Sequence, residues 1–155
     1  MRTALFTGTF DPFTVGHDDI VRRALPLFDR IIIAVVGDNV NKPQMTPASE
    51  RREAIEALYA DEPHVEVKVF NGLAADFARE EQAQCFIKGV RSLRDFEYER
   101  DMADINRRLC GIDTLLLFAD ARLAAVSSSM VRELGHFGHD IAPFLPSRPS
   151  TTHSR

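Results

Sequence analysis

Five short apolar runs punctuate the chain, at residues 4–6, 31–36, 65–70, 85–87 and 115–118. The second and fifth are continuous rather than alternating, as strands buried on both faces of a parallel sheet read. Between the runs, apolar residues step at helical spacing. Ile20, Ala24 and Phe28 mark a first helix. Ala54, Ile55 and Leu58 mark a second that starts near Pro47, with "SERRE" supplying charge for its outer face. Leu73, Phe77 and Ala78 mark a third, residues 94–109 a fourth, and the stretch from the serines at 127–129 onward a fifth. Pro26 falls inside the first pattern and should kink that helix or end it early. Strand and helix alternate throughout, which predicts an α/β fold. The expected architecture is a Rossmann-like, doubly wound, five-stranded parallel sheet with helices on both faces. Residues 1–146 are expected to form one domain, and the polar residues 147–155 a frayed tail.

The turn after the first strand carries the first chemistry. "GTFDPFTVGH" spans residues 8–17, at the strand end where ligands of open α/β sheets bind. Gly8 allows close backbone approach, Pro12 stiffens the loop, and Gly16 gives a tight entry into the helix. His17 is expected at the helix N-terminus, where free N–H groups and the dipole favour anions. Asp18 and Asp19 follow in the first turn. Neither G-x-G-x-x-G nor G-x-x-x-x-G-K-[ST] is present, so this is another kind of phosphate site.

The net charge of −4 argues against a nucleic-acid binder, which needs a basic face. It leaves room for local basic clusters around a small phosphorylated substrate. No apolar run approaches the length of a membrane span, and no charged-then-apolar leader opens the chain. Cys85 and Cys110 stand far apart with no paired motif, which fits a reducing cytoplasm, and both are expected to be buried as small hydrophobes.

Two further stretches suit anions. Ser127, Ser128 and Ser129 precede Met130 and Val131 as a helix start with hydroxyls and free N–H groups. "IKGVRSLRDFEYE" places Lys88 and Arg91 around Gly89 at a strand end, with Glu97 and Glu99 on the next helix. A loop lysine, Lys42, follows the second strand in "NVNK", residues 39–42.

Together these motifs resemble the nucleotidyltransferase superfamily. "TVGH" is similar to its T/H-x-G-H signature and "VSSSMVR" to its I-S-S-S/T-x-x-R/K motif. "IKGVRSLRDFEYE" closely resembles I-R-G-[LVI]-R-x-x-x-D-F-E-Y-E of the bacterial phosphopantetheine adenylyltransferases. The likeness covers roughly residues 2–146, with the motifs in family order. It implies transfer of the adenylyl group of ATP to 4′-phosphopantetheine, giving dephospho-coenzyme A and pyrophosphate.

The resemblance also implies roles. His17, Lys42 and Thr9 would surround the reacting phosphate. ATP would be held by Thr9, Phe10, His17, Gly89, Val90, Arg91, Glu99, the stretch Leu123, Ala124, Ala125 and Val126, and the three serines. The acceptor would meet Thr9, Lys42, Ala74 and Lys88, with Leu73 and Ala75 near its pantetheine arm. The family usually carries arginine where this chain has Lys88; lysine keeps the charge and loses the bidentate fork. Mg²⁺ would arrive with ATP, and no dedicated metal cage is expected. A homohexamer inhibited by coenzyme A is implied as well.

Sister enzymes that use glycerol phosphate with CTP or nicotinate mononucleotide with ATP share the "GH" signature but not "RDFEYE". A non-catalytic nucleotide sensor is the rival of another class. His136 and His139 form H-x-x-H, but Gly135 and Gly138 make a regular helix there doubtful, so both are expected on the surface, as are His64 in a turn and His153 in the tail. No G-x-S-x-G elbow exists.

Overall fold

The computed structural model describes residues 1–39, 41 and 45–147. Its five strands are β1 (Thr3–Gly8), β2 (Arg30–Val36), β3 (Val65–Phe70), β4 (Cys85–Val90) and β5 (Asp113–Phe118). All pair in parallel, in the order β3-β2-β1-β4-β5. The helices are α1 (Val15–Ala24), α2 (Ala48–Leu58), α3 (Ala74–Glu80), α4 (Leu93–Cys110) and α5 (Ser128–His136). The chain runs outward from β1 to β3, then returns to the far side of β1 for β4 and β5. The order therefore reverses between β1 and β4, which is where a doubly wound sheet opens a crevice.

The strands at that reversal part early. β1 pairs with β2 along its whole length, and β4 with β5 likewise. Between β1 and β4 only Ala4 with Cys85 and Leu5 with Phe86 are paired. Beyond them, Phe6, Thr7 and Gly8 on one side and Lys88 and Gly89 on the other border a cavity.

One apolar cluster covers one face of the sheet, where Ile31, Ile33 and Val35 meet Ile20, Val21, Ile55 and Tyr59. A second covers the other, with Ile32, Ala34 and Phe86 against Ala78. β2 is the buried strand its unbroken apolar run predicts. β5 is not. It is the sheet edge, with Leu115 and Phe118 exposed, and α4 beside it buries none of its residues. An apolar run marks a strand that avoids water; it does not say what covers the strand.

α1 ends at Ala24 and tightens into a 3₁₀ turn that holds Pro26, leaving Phe28 extended beyond it. A ring without an N–H, locked near φ −65°, accounts for that early end. Val15 opens the helix, so His17 lies inside its first turn, at the N-terminus as expected. Gly16 is also inside that turn, where a Cβ would make only ordinary contacts, so tight entry does not require it.

α2 begins after Pro47 as expected, but Arg51 of "SERRE" is buried, not outward. Leu73 precedes α3 and is exposed, while Ala75 and Ala78 are buried. α5 continues through Gly135 to His136, and the chain breaks from helix before Gly138, whose φ is +81°. His64, His136 and His139 are exposed. Cys85 and Cys110 are free and half-buried.

Candidate active site

A cavity of about 300 Å³ lies at the reversal point. β1 and its following loop, the N-termini of α1 and α5, the end of β4 and the first turns of α4 all open onto it. Glycine is needed at two places. A Cβ on Gly8 would lie 2.8 Å from the Phe10 ring, and one on Gly89 would lie 2.9 Å from Ile20 Cγ1. Gly8 therefore lets Phe10 fold back beneath the loop, and Gly89 lets α1 lie close over β4.

His17 is held by the start of its own helix. Thr14 is the N-cap: its hydroxyl accepts from the His17 N–H at 3.4 Å. In return the Thr14 N–H donates to His17 Nδ1 at 2.9 Å. This is a reciprocal capping box in which imidazole stands where glutamate or glutamine is usual. An Nδ1 that accepts leaves the proton on Nε2. The ring sits among Phe10, Phe13 and Phe6, with centroids 5.0, 5.2 and 6.2 Å away. One edge of it still reaches the cavity. Burial, then the positive charges of Arg91 and Lys88, press its pKa down to about 4. His17 is thus a neutral donor at pH 7, not an imidazolium.

The basic side chains are tethered by protein partners. Lys88 Nζ donates to the Thr7 carbonyl at 3.1 Å and lies 3.6 Å from Glu99 Oε1. Arg91 donates to the Val126 carbonyl at 3.3 Å, and its Nε is 3.3 Å from Asp95 Oδ2. At the opposite wall the serines divide their work. Ser127 caps α5 by accepting from the Met130 N–H at 3.1 Å. Ser128 Oγ donates to the Pro12 carbonyl at 2.8 Å, tying α5 to the β1–α1 loop. Ser129 accepts from Arg132 at 3.3 Å, and Arg132 also donates to the Asp11 carbonyl at 2.5 Å. Two helix N-termini and two cations therefore converge on one cavity, an arrangement suited to a polyphosphate.

Thr9, Phe10, His17, Lys88, Gly89, Arg91, Glu99, Leu123, Val126 and Ser127 to Ser129 all line this cavity. Val90 does not; it is buried in the sheet. Ala124 and Ala125 lie in the turn between Leu123 and Val126 without lining the cavity, and Ala74 opens α3 outside it. Lys42 lies outside the described residues. The sequence reading passed over Asp95, which restrains Arg91, and Ile20 and Ala119, which are apolar wall. Asp95 had a signal: it stands in the first turn of α4, four residues after Arg91.

Among the described residues no three His, Cys, Asp or Glu side chains group to hold a metal ion. The two carboxylates that line the cavity, Asp95 and Glu99, already face Arg91 and Lys88. Among the same residues no helix is long and apolar enough to cross a membrane.

Residues 5–134 match the model of the cytidylyltransferase-like family. The chain is 51% identical over 146 residues to a phosphopantetheine adenylyltransferase of Phocaeicola vulgatus, covering 94% of this chain and 96% of that one. It is 49% identical over 146 residues to the enzyme of that name from Bacteroides thetaiotaomicron, with coverages of 94% and 96%. With its counterpart from Porphyromonas gingivalis it shares 50% over 143 residues, 92% of this chain and 93% of the other. Among solved structures it resembles a lipopolysaccharide core biosynthesis protein from Thermoplasma volcanium, with TM-score 0.56 and 18% identity over 77% of this chain and 97% of that one. At that identity the likeness speaks for the fold.

Proposed function

The chain belongs to the phosphopantetheine adenylyltransferase family, within the cytidylyltransferase-like proteins, and on that footing we propose that its cavity carries out the family reaction with the residues named above. The protein transfers the adenylyl group of ATP to 4′-phosphopantetheine, giving dephospho-coenzyme A and pyrophosphate. The observation that carries the site reading is the convergence of two helix N-termini, a neutral histidine donor and two cations on the cavity at the sheet reversal.

The phosphate of phosphopantetheine attacks the α-phosphorus of ATP in line. The P–O bond to the β-phosphate breaks, and pyrophosphate leaves with those electrons. The nucleophile is already anionic, so the protein supplies position and charge stabilisation. His17 donates Nε2–H to an α-phosphate oxygen as charge builds there, and Thr9 and Lys42 surround the same group. A neutral imidazole suits this role because its proton is held, not released, at working pH. Phe10, Gly89, Arg91, Glu99, Leu123, Val126 and Ser127 to Ser129 hold ATP from the cavity wall, with Val90, Ala124 and Ala125 contributing only through the backbone of the same segments and the serine-capped α5 N-terminus toward the β- and γ-phosphates.

Lys88 meets the acceptor's phosphate, and Ala74 lies toward its pantetheine arm. Mg²⁺ would arrive bound to ATP and would offset the charge of its phosphates. The acids lining the cavity are engaged by cations and make no cage for it.

Coenzyme A contains the product's adenosine and pantetheine, so it would compete for both halves of the cavity as a feedback inhibitor. The exposed apolar residues of α4 and β5, among them Leu93, Tyr98, Leu115 and Phe118, support assembly with further copies, as a homohexamer. Two free thiols suit the cytoplasm.

The test is pyrophosphate release from ATP and Mg²⁺ with 4′-phosphopantetheine, beside glycerol phosphate and nicotinate mononucleotide. Release with phosphopantetheine alone is expected. Release with another acceptor would overturn the reading of residues 87–99, and ATP binding without turnover would favour a sensor.

A further inference from the structure

Arg51 is a charged residue with no access to the cavity just described. It is 3% exposed, at the first turn of α2. Its guanidinium gathers three carbonyls from three chain segments. Nε donates to Thr46 at 2.7 Å, and Nη1 donates to Thr9 at 2.7 Å and to Val36 at 2.8 Å. Nη2 finds no hydrogen bond and stands 3.6 Å from Asp38 Oδ1. The Asp11 carboxylate reinforces the junction by accepting from the Thr46 N–H at 3.1 Å. Burying an arginine is unfavourable unless its donors are used, so this placement calls for a reason.

The Thr9 carbonyl supplies one. In a trans peptide the C=O and the following N–H point to opposite edges. Arg51 borders a second cavity, lined by residues 10–13 of the β1–α1 loop and by α2, that does not include His17. With the Thr9 carbonyl drawn toward Arg51, the Phe10 N–H is directed away from it, in a segment whose residues Thr9 and Phe10 line the first cavity. Phe10 has φ +54°, a left-handed conformation that a phenylalanine adopts only when its surroundings impose it.

We infer that Arg51 is a positioning residue: by holding the Thr9 carbonyl from behind, it presents the Phe10 N–H to the reacting phosphate. The same guanidinium also ties the end of β2 and Thr46 to the β1–α1 loop. Arg51 thus fixes the loop's backbone while touching no substrate. This rests on the site reading above.

The experiment compares Arg51→Met with Ile55→Ala in the full-length protein. Ile55 is buried one turn further along α2, in the core cluster and outside both cavities, and donates no hydrogen bond to the loop. Thermal melts establish the folded fraction, and kcat and the KM for ATP are measured per folded molecule. Arg51→Met should lose about ten- to a hundred-fold in kcat, the scale of weakening one oriented donor. Ile55→Ala should keep kcat within about two-fold at a comparable loss of melting temperature. Guanidinium ion added to Arg51→Ala should recover part of the rate and should do nothing for Ile55→Ala. Arg51→Lys keeps the charge without the fork and serves if the methionine variant does not fold; it too should lose kcat. Wild-type kcat in a folded Arg51 variant, or a loss matched by Ile55→Ala at equal melting temperature, would overturn the inference. His17→Ala run alongside separates the failures: if it turns over normally, the site reading itself is wrong.

Discussion

Replacing His17 by asparagine should flatten the acid limb of the protein's stability. Asparagine keeps an acceptor for the Thr14 N–H and removes the titrating ring. In the native chain the ring has a pKa of about 4, against 6.5 for a free histidine. Below 6.5 the unfolded chain takes up a proton that the folded chain refuses. Stability from this group is therefore complete above pH 6.5 and declines as the pH falls towards 4. The full gap corresponds to about 3 kcal/mol, and the open edge of the ring reduces it to about 2 kcal/mol. Urea unfolding at constant ionic strength, from about pH 4 to about pH 7, measures the difference between wild type and variant. The two stability curves should diverge by that amount across the interval, and activity should show no histidine-like inflection near neutrality. Parallel curves would mean that His17 is not held neutral by its surroundings, and the tautomer argument would fail with them.

Three other outcomes are expected. His17→Ala should lower kcat by about 100- to 1,000-fold in a protein that still folds, read by pyrophosphate release. Lys88→Met should raise the KM for 4′-phosphopantetheine by about ten-fold or more, while Lys88→Arg, which restores a bidentate fork, should leave it equal or lower. Gly89→Ala should cost about 1–3 kcal/mol in denaturant unfolding, because its methyl lands 2.9 Å from Ile20, and Ile20→Val should recover part of that loss.

The residues that form the site were legible in unequal degree. The sheet's centre followed from apolar runs alone, since a strand such as Ile31 to Val36 has only one way to avoid water. β5 carries a run of the same kind, yet lies at the edge. Arg51 was misread for a related reason. Helical periodicity assigns a charged residue outward because it cannot see carbonyls that other segments bring to the same point. The orientation of His17 was hidden too. Its place in "TVGH" was plain, but the tautomer depends on a main-chain N–H three residues back, and the usual capping-box pattern has no histidine in it.

α4 supplies Glu99 to the cavity and follows directly on Arg91, yet none of its eighteen residues is buried. What fixes it locally is a serine cap at one end, Gly111 in a left-handed turn at the other, and side-chain ion pairs such as Asp104 with Arg108. Such a helix frays at small cost unless something covers its apolar face. One wall of the nucleotide site is therefore only as firm as whatever covers that face. If further copies of the chain cover it, as proposed above, specific activity should fall on dilution, and the enzyme's own concentration becomes one of the variables that set its rate.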